Sequence, residues 1–282
     1  MISKVRGMPV LLPAVLLGLS LTAPVHAAAP STYYFLVFSN PVAGHEDEYN
    51  KWYDQQHAAD VTSIPGFVDG QRYVKNDLPF FRDSDPKMPK YLIVYKIVSS
   101  DVEAVFSEVE RRLKTGETYL SPAYDRKGSQ SYVYQALGPE LKGPGGDATP
   151  INGGAKSGPK KDYLQVVFPA MTEGQEKEFN AFYSVHHAPE VVAIPGFVRA
   201  QRGVLARPSP ASIQPTKYLA LYWAQTSDPE ALKHAADAAG EKFTASAAFN
   251  RAATRGYTYR AMGPLVEGDK VRAARAKAKA GR

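Results

Sequence analysis

Residues 46–73, EDEYNKWYDQQHAADVTSIPGFVDGQRY, recur 130 positions later as residues 176–203, EKEFNAFYSVHHAPEVVAIPGFVRAQRG. The two stretches are identical at 14 of 28 positions without a gap. Further along the chain the offset falls to 127 and then to 125, because loops shorten while the order of segments is kept. Self-similarity at a fixed period indicates a repeated structural unit. The sequence therefore predicts a tandem duplication.

Each copy shows the same order of predicted elements. A short run rich in β-branched and aromatic residues predicts a strand, and the helical pattern that follows it stops at a Pro-Gly pair. Two further strands, a second helix and a closing strand complete the copy. Ser100-x-x-Glu103 and Ser227-x-x-Glu230 predict capping boxes at the start of the second helix in each copy.

The order β-α-β-β-α-β is that of the ferredoxin-like unit, whose four-stranded sheet carries helices on one face only. Two such units can cover each other's open face. The predicted fold class is therefore α+β, with two ferredoxin-like units packed sheet to sheet as an intramolecular dimeric α/β barrel. The predicted organisation is a signal peptide at 1–27, repeats at 31–139 and 162–265, a Gly/Pro/Lys-rich linker at 140–161 and a basic C-terminal tail at 266–282.

The formal net charge of +6 comes from the two ends of the chain. Lys4 and Arg6 supply two of the excess charges and residues 266–282 supply four, whereas residues 28–265 carry 26 basic and 26 acidic residues. Nucleic-acid binding needs a basic field, which this neutral body does not provide, so we expect no nucleic-acid partner. The chain has no cysteine, which excludes disulfide frameworks, thiolate nucleophiles and Fe–S clusters.

The first 27 residues have the pattern of an export signal. A basic start at Lys4 and Arg6 precedes an apolar run from Val10 to Leu21, and Ala27 ends an A-x-A-like cleavage site. The apolar run is shorter than the ~20 residues that span a bilayer. We expect cleavage after Ala27, a periplasmic or secreted mature protein, and no membrane association after cleavage.

The run Asn50-Lys-Trp-Tyr-Asp-Gln-Gln-His57, followed by Ile64-Pro-Gly-Phe-Val68 and Gln71-Arg72, resembles the dimeric α/β-barrel superfamily and, within it, the EthD-like group. Members of that superfamily include cofactor-free isomerases, cyclases and monooxygenases, haem enzymes, and sensors without chemistry, so the fold alone assigns no function. The resemblance implies a role in proton transfer for the helix histidine of each copy, His57 and His187.

Asn50, Tyr53 and His57 lie at i, i+3 and i+7, so they share one face of the predicted helix. The second copy repeats this arrangement with Asn180, Tyr183 and His187. A histidine beside a phenol and an amide has the groups that proton transfer requires. The alternative is structural: each His ring bonds to the backbone at the helix end, and each Tyr packs in the core.

Arg72 and Arg202 lie among apolar residues in the second strand of each copy. A buried arginine there either pairs with a protein carboxylate or faces a polar cavity, where it could bind the carboxylate of a substrate. Phe80 and Phe81, which have no aromatic counterpart in the second copy, predict either a lid over an apolar ligand or a patch packed on the outer surface. No His pair has the spacing of a zinc motif, so we expect no metal site.

Asp54 lies three residues before His57, whereas the second copy has Ser184 at the same position. A carboxylate within one turn of a histidine raises its basicity, so we expect His57 to be the working base and His187 to be structural or supporting.

The predicted function is that of an exported lyase, isomerase or cyclase without a cofactor, which moves a proton on a small hydrophobic or aromatic substrate. Haem binding through His57 or His187 is one alternative, and a non-catalytic periplasmic small-molecule-binding module is another. We expect a monomer with pseudo-twofold symmetry or a homodimer.

Overall fold

The computed structural model of the chain describes residues 29–80, 88–150, 158–207 and 216–281. The predicted signal peptide and Phe81 lie outside these residues. In the described part, eight strands form a closed antiparallel barrel. The strands are β1 (Ser31–Ser39), β2 (Phe67–Lys75), β3 (Tyr91–Ser99), β4 (Gln130–Lys142), β5 (Lys161–Phe168), β6 (Phe197–Arg207), β7 (Tyr218–Thr226) and β8 (Arg255–Glu267).

Helices cover the outside of the barrel. They are α1 (Glu46–Trp52), α2 (Ala58–Thr62), α3 (Val102–Thr115), α4 (Glu176–Phe182), α5 (Ala188–Val192), α6 (Pro229–Gly240) and α7 (Gly268–Ala280). A π-helical turn, Tyr53–His57, joins α1 to α2, and another, Tyr183–His187, joins α4 to α5. Such turns are uncommon in proteins, and many of those that do occur lie at functional sites. Both π turns end on the histidine that the sequence singled out.

The strand order around the barrel is β1-β3-β2-β8-β5-β7-β6-β4. Four neighbouring strands come from each half of the chain, and the halves join where β2 pairs with β8 and β4 pairs with β6. The halves thus share one hydrogen-bonded sheet, whereas the sequence predicted two stacked sheets. The reason is the length of β4 and β8, which continue past Gly138 and Gly263 by adopting a positive φ of 71° and 65° at these glycines.

The interior of the barrel is a packed core. Large side chains from both halves meet there, among them Tyr34, Phe38, Tyr134, Trp223 and Tyr259, and all are buried. Two further apolar clusters lie outside the barrel, one in each half, between the helices and the outer face of the sheet. The space for a ligand described below belongs to one of these outer layers.

The predicted capping boxes are wrong by one residue. Helices α3 and α6 start after Asp101 and Asp228, whose side chains accept hydrogen bonds from the backbone N–H groups three residues on. A carboxylate at this position satisfies a free N–H and also favours the positive end of the helix dipole.

The first residues of the predicted linker are held by backbone hydrogen bonds to the second half. Residues 140–142 belong to β4, and the N–H groups of Gly143 and Gly145 bond to the carbonyls of Val198 and Phe197 at 2.9 and 3.0 Å. The predicted tail likewise forms α7, which packs on the first half. No helix in the described ranges is both long and apolar enough to cross a membrane.

Arginine side chains hold α7 in place. Arg272 donates to the carbonyl oxygens of Thr62, Ile64 and Phe67 at 3.0, 3.3 and 3.1 Å. These carbonyls lie at the C-terminal end of α2 and in the turn to β2, where a helix leaves acceptors unsatisfied and favours a positive charge.

A fragment of residues 29–150 is expected to dimerise or aggregate rather than to remain a monomer. Without the second half, β2 and β4 lose their partner strands and the aromatic barrel interior is exposed. Size-exclusion chromatography with light scattering measures this state. A soluble, monodisperse monomer would contradict the expectation.

Candidate functional site

A cavity of about 860 Å³ lies in the outer layer of the second half. Its wall combines the π turn Tyr183–His187, helix α6, the segment that follows α6, and the outward-facing side chains of β5 and β7. The side chains used below are Gln165, Tyr183, His187, Tyr222, Phe243, Phe249, Arg251 and Arg255.

His187 is half-buried and lines this cavity. Its ring centroid lies 4.7 Å from that of Tyr183, 5.0 Å from Phe249 and 5.3 Å from Phe243. Burial lowers the pKa of His187 to about 4, with Arg251 acting in the same direction and Glu190 opposing it. The imidazole is therefore neutral near pH 7 and has a lone pair that can accept a proton.

Gln165 also lines this cavity. Thr258 Oγ1 accepts from the Phe80 N–H at 3.1 Å and donates its own proton to Gln165 Oε1. With the amide in this orientation, Gln165 Nε2 is buried without a partner. A buried donor without an acceptor costs about 1–3 kcal/mol, so the site favours a ligand that brings an acceptor.

Two phenols and two guanidinium groups complete the polar wall. The hydroxyls of Tyr183 and Tyr222 lie 3.3 Å apart, and burial raises the pKa of Tyr183 to about 12, so it stays protonated. Arg251 and Arg255 form no ion pair with a carboxylate of the described chain. The cavity therefore offers a neutral base together with groups that stabilise a negative oxygen.

The equivalent place in the first half is closed. His57 is 8% exposed, packs on Trp52 with ring centroids 4.3 Å apart, and its Nδ1 is buried without a hydrogen-bond partner. Burial lowers the pKa of His57 to about 3. His57 is therefore enclosed by protein side chains.

Substitutions between the copies explain why one half has a cavity. Phe35 packs edge-on against Phe106 at 5.0 Å, and the aligned position in the second half is Gln165. At the 127-residue offset, Val109 and Leu113 of α3 correspond to Ala236 and Gly240 of α6. Val109 packs on the outer cluster of the first half, whereas the smaller Ala236 lines the cavity; Leu113 is exposed, so it does not fill the equivalent place.

Two residues of the first copy have other contacts than the sequence predicted. The carboxylate of Asp54 forms an ion pair with Arg72 and is not a partner of His57, because the π turn and β2 bring the guanidinium to it. Phe80 does not cover a first-half pocket. It is buried in the second half, with its ring centroid 5.1 Å from Tyr163, because the segment after β2 crosses the seam between β2 and β8.

The predicted ligand-binding arginines have protein partners. Arg72 donates to Asn50 Oδ1 at 2.8 Å as well as to Asp54, so it follows the protein-carboxylate alternative. Arg202 donates to Asn180 Oδ1 at 2.8 Å. Neither arginine lines the cavity. Within the described ranges, no three His, Asp or Glu side chains come together in a way that could hold a metal ion.

Sequence reasoning missed Gln165, Thr258, Tyr222, Arg251 and Arg255. The replacement of Phe35 by Gln165 was visible in the aligned copies as a polar residue in an otherwise apolar strand. The remaining four became apparent only from the way the strands and the segment after α6 come together.

The sequence matches no known family model, and no curated protein is significantly similar to it. Solved structures with a similar course of the chain include an anthrone oxidase-like protein, with 14% identity, a TM-score of 0.45 and coverage of 84% of this chain and 93% of the other. A proposed monooxygenase from Fusobacterium nucleatum has 10% identity, a TM-score of 0.48 and coverage of 85% and 95%. A dye-decolorizing protein from V. cholerae has 10% identity, a TM-score of 0.42 and coverage of 87% and 96%. Similarities this weak say nothing about what this chain does.

Proposed function

We propose that the chain is a tandem duplication of a ferredoxin-like unit, and that its second half transfers a proton on a small hydrophobic or aromatic molecule without a cofactor. The repeated element order and the grouping of four neighbouring strands from each half support the duplication. The observation that carries the function is the cavity in which the neutral base His187 and the unpartnered amide donor of Gln165 occur together.

The reaction class follows from these groups. His187 takes a proton from a carbon next to a carbonyl, and the carbonyl oxygen gains the negative charge. Gln165 Nε2 donates to that oxygen, while Arg251 and Arg255 stabilise its charge inside a partly dehydrated site. Return of the proton to another carbon isomerises the substrate, and attack or bond cleavage from the same enolate gives a cyclase or a lyase.

A low pKa for His187 also defines the substrate. A weak base removes only an acidic proton at a useful rate, and the enolate that forms offsets the unfavourable charge on the imidazolium. This favours a C–H group flanked by a carbonyl and an aromatic ring. The aromatic wall formed by Tyr183, Tyr222, Phe243 and Phe249 suits such a ring system. The N-terminal pattern supports action outside the cytoplasm.

Proton exchange on a model ketone tests the proposal. 2-Tetralone has an acidic C–H group between its carbonyl and its aromatic ring, and NMR in D₂O measures the loss of that proton. We expect the protein to accelerate exchange above the buffer rate. Binding of 2-tetralone without accelerated exchange would indicate a binding module and overturn the proposal.

A variant that fills the cavity provides the control. Gly240→Leu restores the first-half residue, and the nearest atom to the added Cβ, an Arg251 nitrogen, is 3.7 Å away. We expect this variant to fold with unchanged or higher Tm, because leucine favours a helix more than glycine does. It should lose 2-tetralone exchange. Full exchange in this variant would place the reaction elsewhere.

Haem binding is the alternative, and the access of His187 to the cavity supports it, rather than His57, as the residue that would hold the iron. His57 is enclosed by protein, whereas His187 reaches a cavity with two arginines that could pair with propionate groups. Bound haem would supply redox chemistry at its iron. A Soret band in the purified protein that is lost in His187→Gln would support this alternative over cofactor-free proton transfer.

A further inference from the structure

Arg72 and Arg202 occupy equivalent places in the two halves. Both are nearly buried, at 4% and 5% exposure. Each donates from Nη2 to the aligned asparagine, Asn50 or Asn180, at 2.8 Å. Each guanidinium also lies over the ring of the aligned tyrosine, at 4.6 Å in the first half and 4.9 Å in the second. The surroundings of the two charges are therefore closely matched.

The two arginines differ in their counter-ion. Arg72 has Asp54, whereas Arg202 has Ser184, whose hydroxyl accepts from Nη1. No carboxylate of the described chain lies within ion-pairing distance of Arg202, and its Nε has no hydrogen-bond partner. Removing a charge from water without a counter-ion is costly. Consistently, burial lowers the pKa of Arg202 below its ordinary value.

The place that Asp54 fills in the first half is open in the second. An added Cβ on Gly263 would lie 3.7 Å from Asp54 Oδ1, whereas one on the equivalent Gly138 would meet no atom within 4 Å. The position is also reachable from solvent, because the Asp54 side chain is 45% exposed and Ser184 is exposed.

We propose that Arg202, Ser184 and Asn180 form an anion site beside Gly138, which binds a small carboxylate in the place that Asp54 occupies in the first half. One carboxylate oxygen accepts from the Arg202 guanidinium, and the Ser184 hydroxyl is free to donate to the other. A carboxylate fits because the protein's own ligand at the equivalent position is one. The site is separate from the cavity, since Arg202 packs on the Tyr183 ring without lining the cavity.

Exchanging the two aligned residues tests the site on the full mature chain. Acetate is the probe, and Tm is measured while acetate replaces chloride at constant ionic strength. The acetate response should follow the number of arginines in the aligned pair, Arg72 and Arg202, that lack a carboxylate. This number is one in the wild type, none in Ser184→Asp and two in Asp54→Ser. For the wild type we expect acetate to raise Tm by about 2–4 °C, since a ligand that binds only the folded state stabilises it.

The variants also differ without acetate. Ser184→Asp should melt above the wild type, because it supplies the missing counter-ion, and Asp54→Ser should melt below it. Equal acetate responses in the wild type and Ser184→Asp would overturn the proposal, as would no response in the wild type. If Asp54→Ser does not fold, the comparison of the wild type with Ser184→Asp decides by itself. Turnover is not measured, so the result is independent of the proton-transfer proposal.

Discussion

His187→Gln is expected to slow the exchange of 2-tetralone by about 100-fold or more, which is the usual contribution of a positioned general base. Glutamine keeps a polar side chain of similar reach but accepts a proton far less readily. Because His187 is half-buried and lines a cavity, its replacement should change Tm little. Exchange rates by NMR and thermal melting of the same sample measure both effects.

His57→Gln is the matched control for this experiment. His57 ends the equivalent π turn but is buried against Trp52 and Tyr53. We expect this variant to keep its exchange activity and to lose stability. If His57→Gln abolished exchange while His187→Gln was silent, the first half would contain the base, as the position of Asp54 had suggested from the sequence.

The protein is expected to lose stability as the pH falls from about 6.5 towards 4. Folding lowers the pKa of His57 to about 3 and that of His187 to about 4, so the unfolded chain binds more protons in this interval. Stability from these groups is complete above the unfolded pKa and declines as the pH drops below it. At pH 4.5 the loss is on the order of 2 kcal/mol for each histidine.

Urea unfolding at pH 7.5 and pH 4.5 measures this loss for the wild type and the two His→Gln variants. Each variant should lose part of the pH dependence, and the double variant should retain only the part due to carboxylates, which all four proteins share. A pH dependence that is the same in all four proteins would show that the histidines titrate normally in the folded state.

The sequence predicted the elements and their order because those depend on local patterns. The aligned Ile64-Pro-Gly-Phe and Ile194-Pro-Gly-Phe runs each lie between a helix and a strand, as the breaker properties of proline and glycine require. The π turns were not predictable, because one inserted residue per turn leaves the apolar pattern nearly unchanged. The pairing between the halves was not predictable either. It depends on the length of β4 and β8, and the glycines Gly138 and Gly263 within these strands suggested that each strand ended earlier.

The candidate site was only partly predictable for a related reason. Sequence spacing identified Tyr183 and His187 on one helix, but it assigned Asp54 to its sequence neighbour His57. In the fold that carboxylate forms an ion pair with Arg72, which lies on strand β2. Side chains that meet across elements, such as Gln165 and Thr258, carry no mutual signal in a single sequence.

The closed barrel built from two unequal halves has a consequence for symmetry. Two identical subunits arranged around a twofold axis must carry identical sites, so any substitution that opens a pocket in one also weakens the other. In this chain the two halves are encoded separately, so a substitution in one half leaves the other unchanged. Val109 can remain packed on one side, while Ala236 leaves space on the other. A single polypeptide can thus combine one half whose outer layer is filled with one half that contains a cavity, which a homodimer of the same shape cannot do.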